Sequence, residues 1–273
     1  MQLTEKQLES YQRDGFLFFS QLFSLAEVES MRTELPALFA EASERRVLER
    51  GNLEVRSLYG SHTNNEIFRR LARHPRLVEP AMQILVGSVY VYQFKINAKV
   101  ALRGDLWEWH QDFVFWQRED GVPEPRLVTM AVFLDEVTEF NGPLMIVPGS
   151  HHQGVVEPST TSGVPQEYVG KPEWIANLTA DLKYTIDKES LARLVARGGI
   201  TAPKGPSGSA LFFDCNLAHG SVPNLSPFDR KIVMVTYNRV DNVPRWPQSA
   251  RPEFLASRDT NPVSPVSDDA LLN

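Results

Sequence analysis

The spacing of apolar residues changes once along the chain, from helical in the first third to alternating after it. Thr4–Arg13 reads as a short amphipathic helix, with Thr4 as N-cap, Gln7 as its capping-box partner and Gly15 as its end. Phe16–Phe19 is a short apolar strand. Ser24 opens a second helix in which Leu25, Val28, Met31 and Leu35 share a face, and Pro36 is expected to kink or break it. Residues 45–65 are charged and irregular. Glu66–Leu85 reads as helical, with breaks near Pro75 and Pro80.

From Ser88 the period shortens. Val89, Val91, Phe94, Ile96 and Val100 belong to a strand rich in β-branched and aromatic residues. Arg126–Leu134, Pro143–Val147, Ser209–Phe213 and Lys231–Tyr237 read as further strands, separated by turn signals such as Asn141-Gly142-Pro143 and Pro206-Ser207-Gly208. Helices first and strands after predict a mainly β domain with flanking helices, its core two facing antiparallel sheets of the jelly-roll type. Residues 152–205 interrupt the β pattern. Pro172–Asn177 and Asp187–Arg197 look helical within this insertion, and a lid and an oligomer contact are equally good readings of it. Beyond Asn242 five prolines suggest an extended, partly disordered tail. We therefore expect one domain over 1–273: a helical part to about residue 87, a β core over about 88–242, and a tail over about 243–273.

Length and charge narrow the function. With 273 residues, 42% of them hydrophobic, the chain can bury one sizeable core. A net charge of −6 argues against nucleic acid and anionic membranes as partners. No apolar run approaches a membrane helix, and the polar, charged start does not read as a signal peptide. The single cysteine, Cys215, rules out an intramolecular disulfide and fits a reducing cytoplasm. A small-molecule substrate remains, and a homodimer is compatible with all of this.

The candidate chemistry sits in Trp107–Trp116, WEWHQDFVFW. His110 and Asp112 are two residues apart, which on a strand puts both on one face about 7 Å apart. His219 lies far downstream, and Arg230 follows it. Two histidines and one carboxylate form a facial triad that leaves positions open on Fe(II) for an oxo-acid and O2. Zinc accepts the same residue types, so the ligands alone leave the metal open. An arginine such as Arg230 can clamp a carboxylate through two parallel hydrogen bonds. Lys99 is a second cation near this strand, and Trp116 is the aromatic we expect in the pocket. Of the other histidines, His62 and His74 are expected at the surface, His151 in a structural role and His152 exposed.

The segments WHQDFVFWQREDGVP, NGPLMIVPGSH and GPSGSALFFDCNLAHGSVPNLSPFDRK, with the opening LTEKQLESYQRDGFLFF, resemble the phytanoyl-CoA dioxygenase family over about Leu3 to Asn242. That resemblance implies a double-stranded β-helix of the cupin-like kind and an Fe(II)- and 2-oxoglutarate-dependent oxygenase. It implies His110, Asp112 and His219 as iron ligands, and Arg230 as the clamp for 2-oxoglutarate, with Lys99, Thr129 and Ser221 beside it. It implies Gln93, Trp116 and Asn238 at the substrate pocket, and Arg126 joins them as a candidate for orienting a small polar substrate. The pattern is nearest to ectoine hydroxylases and related hydroxylases of free amino acids. It departs from the ectoine pattern at Trp107, Gln111, Val114, Phe115 and Gln117, expected at the mouth of the site. The expected reaction is hydroxylation of an unactivated C–H of a free amino acid or derivative, with release of succinate and CO2. Ectoine 5-hydroxylation, tailoring of a larger natural product, and a ligand-binding module without turnover are the alternatives.

Overall fold

In the computed structural model, which describes residues 1–51, 54–160, 173–176, 178–248 and 250–273, local signals set the first elements. Thr4 and Gln7 form a capping box at α1 (Glu5–Asp14), and Gly15 closes it in the left-handed region at φ 80°. Strand β1 (Phe16–Phe19) follows. Ser24 and Glu27 form a second capping box at α2 (Leu25–Arg32), which ends short of Pro36; the proline sits in the first turn of α3 (Leu35–Ala40), where its missing N–H costs nothing.

The stretch expected to be irregular contains β2 (Arg46–Leu48) and β3 (Val55–Tyr59). Its charges concealed them, since Arg56 is buried in β3 and paired with Glu49 at 3.0 Å. Helices α4 (Glu66–Leu71) and α5 (Pro75–Leu85) are divided as Pro75 predicts. Pro80 causes no break. The fully buried Leu77, Val78 and Ala81 hold α5 through it, and such packing outweighs a local cost of about 3 kcal/mol. His62 and His74 are not surface residues. His74 is fully buried and caps α5, and His62 stacks on Phe94 with ring centroids 5.1 Å apart.

The rest of the chain supplies β4 (Val89–Lys99), β5 (Trp107–His110), α6 (Asp112–Asp120), β6 (Leu127–Phe133), β7 (Leu144–Ile146), β8 (Ser159–Thr160), α7 (Glu173–Ala176), β9 (Tyr184–Thr185), α8 (Lys188–Gly198), β10 (Ala210–Asp214), β11 (His219–Ser221) and β12 (Arg230–Arg239). A seven-stranded antiparallel sheet runs β1-β10-β6-β12-β4-β3-β2, and a three-stranded one runs β5-β11-β7. One face of the large sheet packs Val233, Val235 and Tyr237 against the helices. The other packs Phe133, Phe213 and Ile232 against Leu144 and Ile146 of the small sheet, so two antiparallel sheets face one another as expected.

Strand β4 decides what reaches the space between the sheets. A register shift against β12 leaves Tyr92 as an extra residue. From there the strand alternates, with Phe94 and Ile96 in the core against the helices and Gln93, Lys95, Asn97 and Lys99 on the opposite face. The tail has no helix or strand among the described residues, yet Leu255 and Ala256 are fully buried. Ser257 N donates to Tyr92 O, and Val263 N to Val89 O, both at 2.8 Å. The chain after Asn242 is therefore packed along β4 rather than loose. Residues 161–172 of the expected lid lie outside the described residues.

Candidate active site

The small sheet brings the distant ligands together. Strands β5 and β11 pair antiparallel with His110 opposite His219, and the imidazole centroids are 4.2 Å apart. Gly220 permits this closeness: a Cβ there would sit 3.0 Å from Trp107 O. Asp112 arrives differently from the strand reading. Strand β5 ends at His110, Gln111 turns the chain, and Asp112 is the first residue of α6. The carboxylate then also lies at the positive end of a helix dipole. Ligand atoms of His110, Asp112 and His219 all lie within 4.8 Å of one another.

Hydrogen bonds orient the triad. Nδ1 of His110 lies 2.6 Å from Glu108 O, and Nδ1 of His219 lies 2.8 Å from Leu217 O. Each carbonyl needs a donor, so each Nδ1 carries the proton and each Nε2 presents a lone pair toward Asp112, at 3.8 and 3.9 Å. Burial and then the neighbouring His219 push His110 down to about 3, and burial lowers His219 too. Burial works to raise Asp112, but Lys95, His219 and His110 together hold it below the ordinary carboxylate value. Two neutral imidazoles and one carboxylate are the protonation states a divalent metal needs. Oδ2 of Asp112 is buried with no hydrogen-bond donor, a deficit that a cation would fill.

The triad opens into a narrow cavity of about 50 Å³. Arg230 lines it, 2% exposed, with Nη2 donating to Gly142 O at 2.8 Å and Nε meeting no acceptor. Burial lowers the guanidinium to about 10, which leaves it charged at neutral pH. Ser221 also lines the cavity, with a buried and unpartnered Oγ. These orphaned donors suit the carboxylate of an oxo-acid.

Gln93 and Trp116 line the cavity as expected, although Gln93 Nε2 already donates to Leu255 O at 2.7 Å. The other candidates lie outside its lining. Lys99 is the cross-strand partner of Arg230, but its Nζ is held by Asp105 O at 2.5 Å and Val222 O at 2.6 Å. Burial and then Arg230 push that ammonium down to about 6. Thr129 is spent on Thr236, with the hydroxyls 2.9 Å apart. Asn238 is tied to Tyr90 and Asn242, each at 2.9 Å. Arg126 sits at the surface beside Asp241, at 3.2 Å. Of the five departures from the ectoine pattern only Trp107 and Phe115 line the cavity. Gln111 instead bonds Gly154 O, Asn216 O and Val156 N, and Gln117 is exposed.

Sequence reasoning missed Lys95, Asn97, Tyr59 and Arg251, which all line the cavity. The alternation QFKINAK carried the signal for the first two, because polar residues at every second place on a covered strand must face an interior site. Lys95 Nζ lies 3.7 Å from Asp112 Oδ1. Arg251 comes from the C-terminal segment, and only its long-range pairing with Asp120 places it. Leu178 and Leu182 bring the insertion to the cavity wall.

The chain matches the phytanoyl-CoA dioxygenase family over residues 11–232. It is 42% identical over 261 residues to the L-proline trans-4-hydroxylase of Streptomyces griseoviridis, covering 96% of this chain and 95% of that protein. It is 40% identical over 266 residues to the ectoine dioxygenase of Bordetella parapertussis, covering 94% and 83%. The crystal structure of EctD from S. alaskensis with 2-oxoglutarate and 5-hydroxyectoine superposes with a TM-score of 0.81 at 32% identity, covering 97% of this chain and 87% of that one.

Proposed function

The chain belongs to the phytanoyl-CoA dioxygenase family, and from that premise we propose that its substrate is a free cyclic amino acid, with L-proline first among the candidates. The activity is that of an Fe(II)- and 2-oxoglutarate-dependent dioxygenase hydroxylating a free amino acid or derivative. The observation that carries the reading is the His110–Asp112–His219 triad sharing one narrow cavity with Arg230, whose Nε has no partner.

When bound, iron with 2-oxoglutarate and O2 supplies the oxidation of the C–H bond, with succinate and CO2 released. The protein's residues supply position. His110 and His219 offer neutral Nε2 atoms to the metal, and Asp112 offers a carboxylate. Arg230 would hold the far carboxylate of the oxo-acid, with the Ser221 hydroxyl beside it. Lys95, with Nζ 3.7 Å from Asp112 Oδ1, would help to orient that carboxylate. Arg251 and Gln93 would orient the amino acid against the face of Trp116. Trp107, Phe115, Leu178 and Leu182 exclude water from the reacting carbon.

Two observations favour proline over ectoine. The L-proline trans-4-hydroxylase matches this chain over nearly the whole of both proteins. Trp107 and Phe115, where the sequence leaves the ectoine pattern, are cavity residues. The deciding experiment is a screen of free amino acids and ectoine for substrate-dependent succinate release, followed by product identification by mass and NMR. Hydroxylation of ectoine in preference to proline would overturn the substrate assignment.

No helix among the described residues is long and apolar enough to cross a membrane. The buried thiol of Cys215 fits a reducing cytoplasm, where we place the enzyme. We propose a homodimer, to be checked by sedimentation.

A further inference from the structure

A second cavity, of about 580 Å³, lies on the other face of β4, where Val91 lines it. Its walls are Arg45 from the turn before β2, His62, Arg69 and Arg73 from the helical layer, and Glu253 and Asp259 from the C-terminal segment. We propose that this cavity is a second binding site, for a small zwitterion of the amino-acid class.

The charges point to that class. Arg69 shares Glu66 with Arg70, at 2.6 and 3.0 Å. Arg45 spends Nη1 on neutral oxygens, Gly60 O at 3.1 Å and Thr63 Oγ1 at 2.9 Å. Arg73 makes one bond, from Nε to Ser264 O at 3.1 Å. Among the described residues neither Arg45 nor Arg73 has an acidic partner, and neither Glu253 nor Asp259 has a basic one. Arg45 and the exposed Arg73, Glu253 and Asp259, the last with Oδ1 already accepting from Asn261 N and Nδ2, put two cations and two carboxylates around one cavity, which suits a ligand bearing both signs and no net charge. A plain anion would meet the carboxylates, and a plain amine the arginines.

His62 brings an aromatic ring to the cavity wall. Its Nδ1 is buried and unpartnered while its ring stacks on Phe94. Burial and then Arg45 push this imidazole down to about 4, so at neutral pH it is an uncharged donor or acceptor. The site is separate from the metal: Gln93, Lys95 and Asn97 of β4 line the first cavity and Val91 the second.

The imidazole protons of His62 report on this cavity, and Arg73→Gln, at a residue that lines the second cavity and not the first, separates their response from active-site binding. In the full-length chain at neutral pH, glycine and L-proline serve as zwitterions, with propionate and propylammonium as their single-charge halves. The His62 resonances are assigned by loss in His62→Gln. The expected result is a saturable shift of His62 with both zwitterions, with each half weaker by about tenfold or more, the usual loss for one charged hydrogen bond. Arg73→Gln should weaken the zwitterions by a similar factor. Arg73 is exposed with a single bond, so the fold should survive; should it not, Glu253→Gln reads the ammonium side instead. The proposal is overturned if His62 does not respond to the zwitterions at about 50 mM, if the halves bind as well, or if the folded variant binds like wild type.

Discussion

Arg251 holds Asp120 through two hydrogen bonds, Nε to Oδ1 at 2.9 Å and Nη2 to Oδ2 at 2.6 Å, with both side chains almost wholly buried. The pair joins the C-terminal segment to the last residue of α6, whose first residue is the metal ligand Asp112. Tyr92 hydrogen-bonds the same carboxylate. Asp120→Asn leaves a buried guanidinium without its counter-charge, so urea unfolding should show a loss of about 3–5 kcal/mol. The double change Asp120→Asn with Arg251→Met should recover part of that stability while the KM for the amino acid stays high. Recovery of both would place Arg251 outside substrate binding.

Lys99 separates two accounts of the oxo-acid site. Resemblance makes it a holder of 2-oxoglutarate, whereas the structure ties its Nζ to two carbonyls. Lys99→Met should therefore cost about 1–3 kcal/mol in thermal unfolding through the orphaned carbonyls. The KM for 2-oxoglutarate should change by less than about threefold, below the roughly 1.4 kcal/mol of a tenfold effect. A large rise in that KM would restore the resemblance-based role.

Arg230→Lys keeps the charge and removes the fork. Succinate formation at varied 2-oxoglutarate should show the KM raised by about tenfold or more, with the melting temperature nearer wild type than that of Arg230→Ala. Unchanged KM in both variants would move the carboxylate clamp elsewhere.

Protonation of the triad sets two expectations about pH. His110 is pushed down to about 3, against 6.5 for the free group. A lowered histidine contributes stability that is complete above the unfolded value and is lost as pH falls toward the folded one. The metal-free protein should therefore lose melting temperature steadily below about pH 6.5. At pH 7 both imidazoles are already neutral and Asp112 ionised, so iron binding should release almost no protons. Calorimetry in buffers of different ionisation enthalpy measures this, and release of one proton per iron would show that a ligand is protonated in the free site.

Local chemistry was legible in the sequence. The capping box at Thr4, the helix start at Ser24 and the strand from Val89 depend on near neighbours, and they appear where expected. His110 and Asp112 were recognisable as ligands, but their geometry was misread because the turn at Gln111 is held by Gly154, Asn216 and Val156, all remote in sequence. Lys99 shares a face with Lys95 and Asn97, and only its position along the strand carries it past the cavity. Arg251 and the packed tail were hidden for the same reason: their partners Asp120 and Tyr92 lie more than a hundred residues away. Arg126 was a candidate for orienting a small polar substrate, and it pairs instead with Asp241 at the surface.

The central claim, a mononuclear iron site coupling oxo-acid turnover to hydroxylation of a free amino acid, is tested most directly by stoichiometry. Anaerobically prepared protein with one equivalent of Fe(II) and excess 2-oxoglutarate is given free L-proline and O2, and succinate and hydroxylated product are counted together. The account predicts one hydroxylated amino acid per succinate with wild type and neither with Asp112→Ala. Tight iron and 2-oxoglutarate binding, with succinate release that no free amino acid or derivative stimulates, would contradict it.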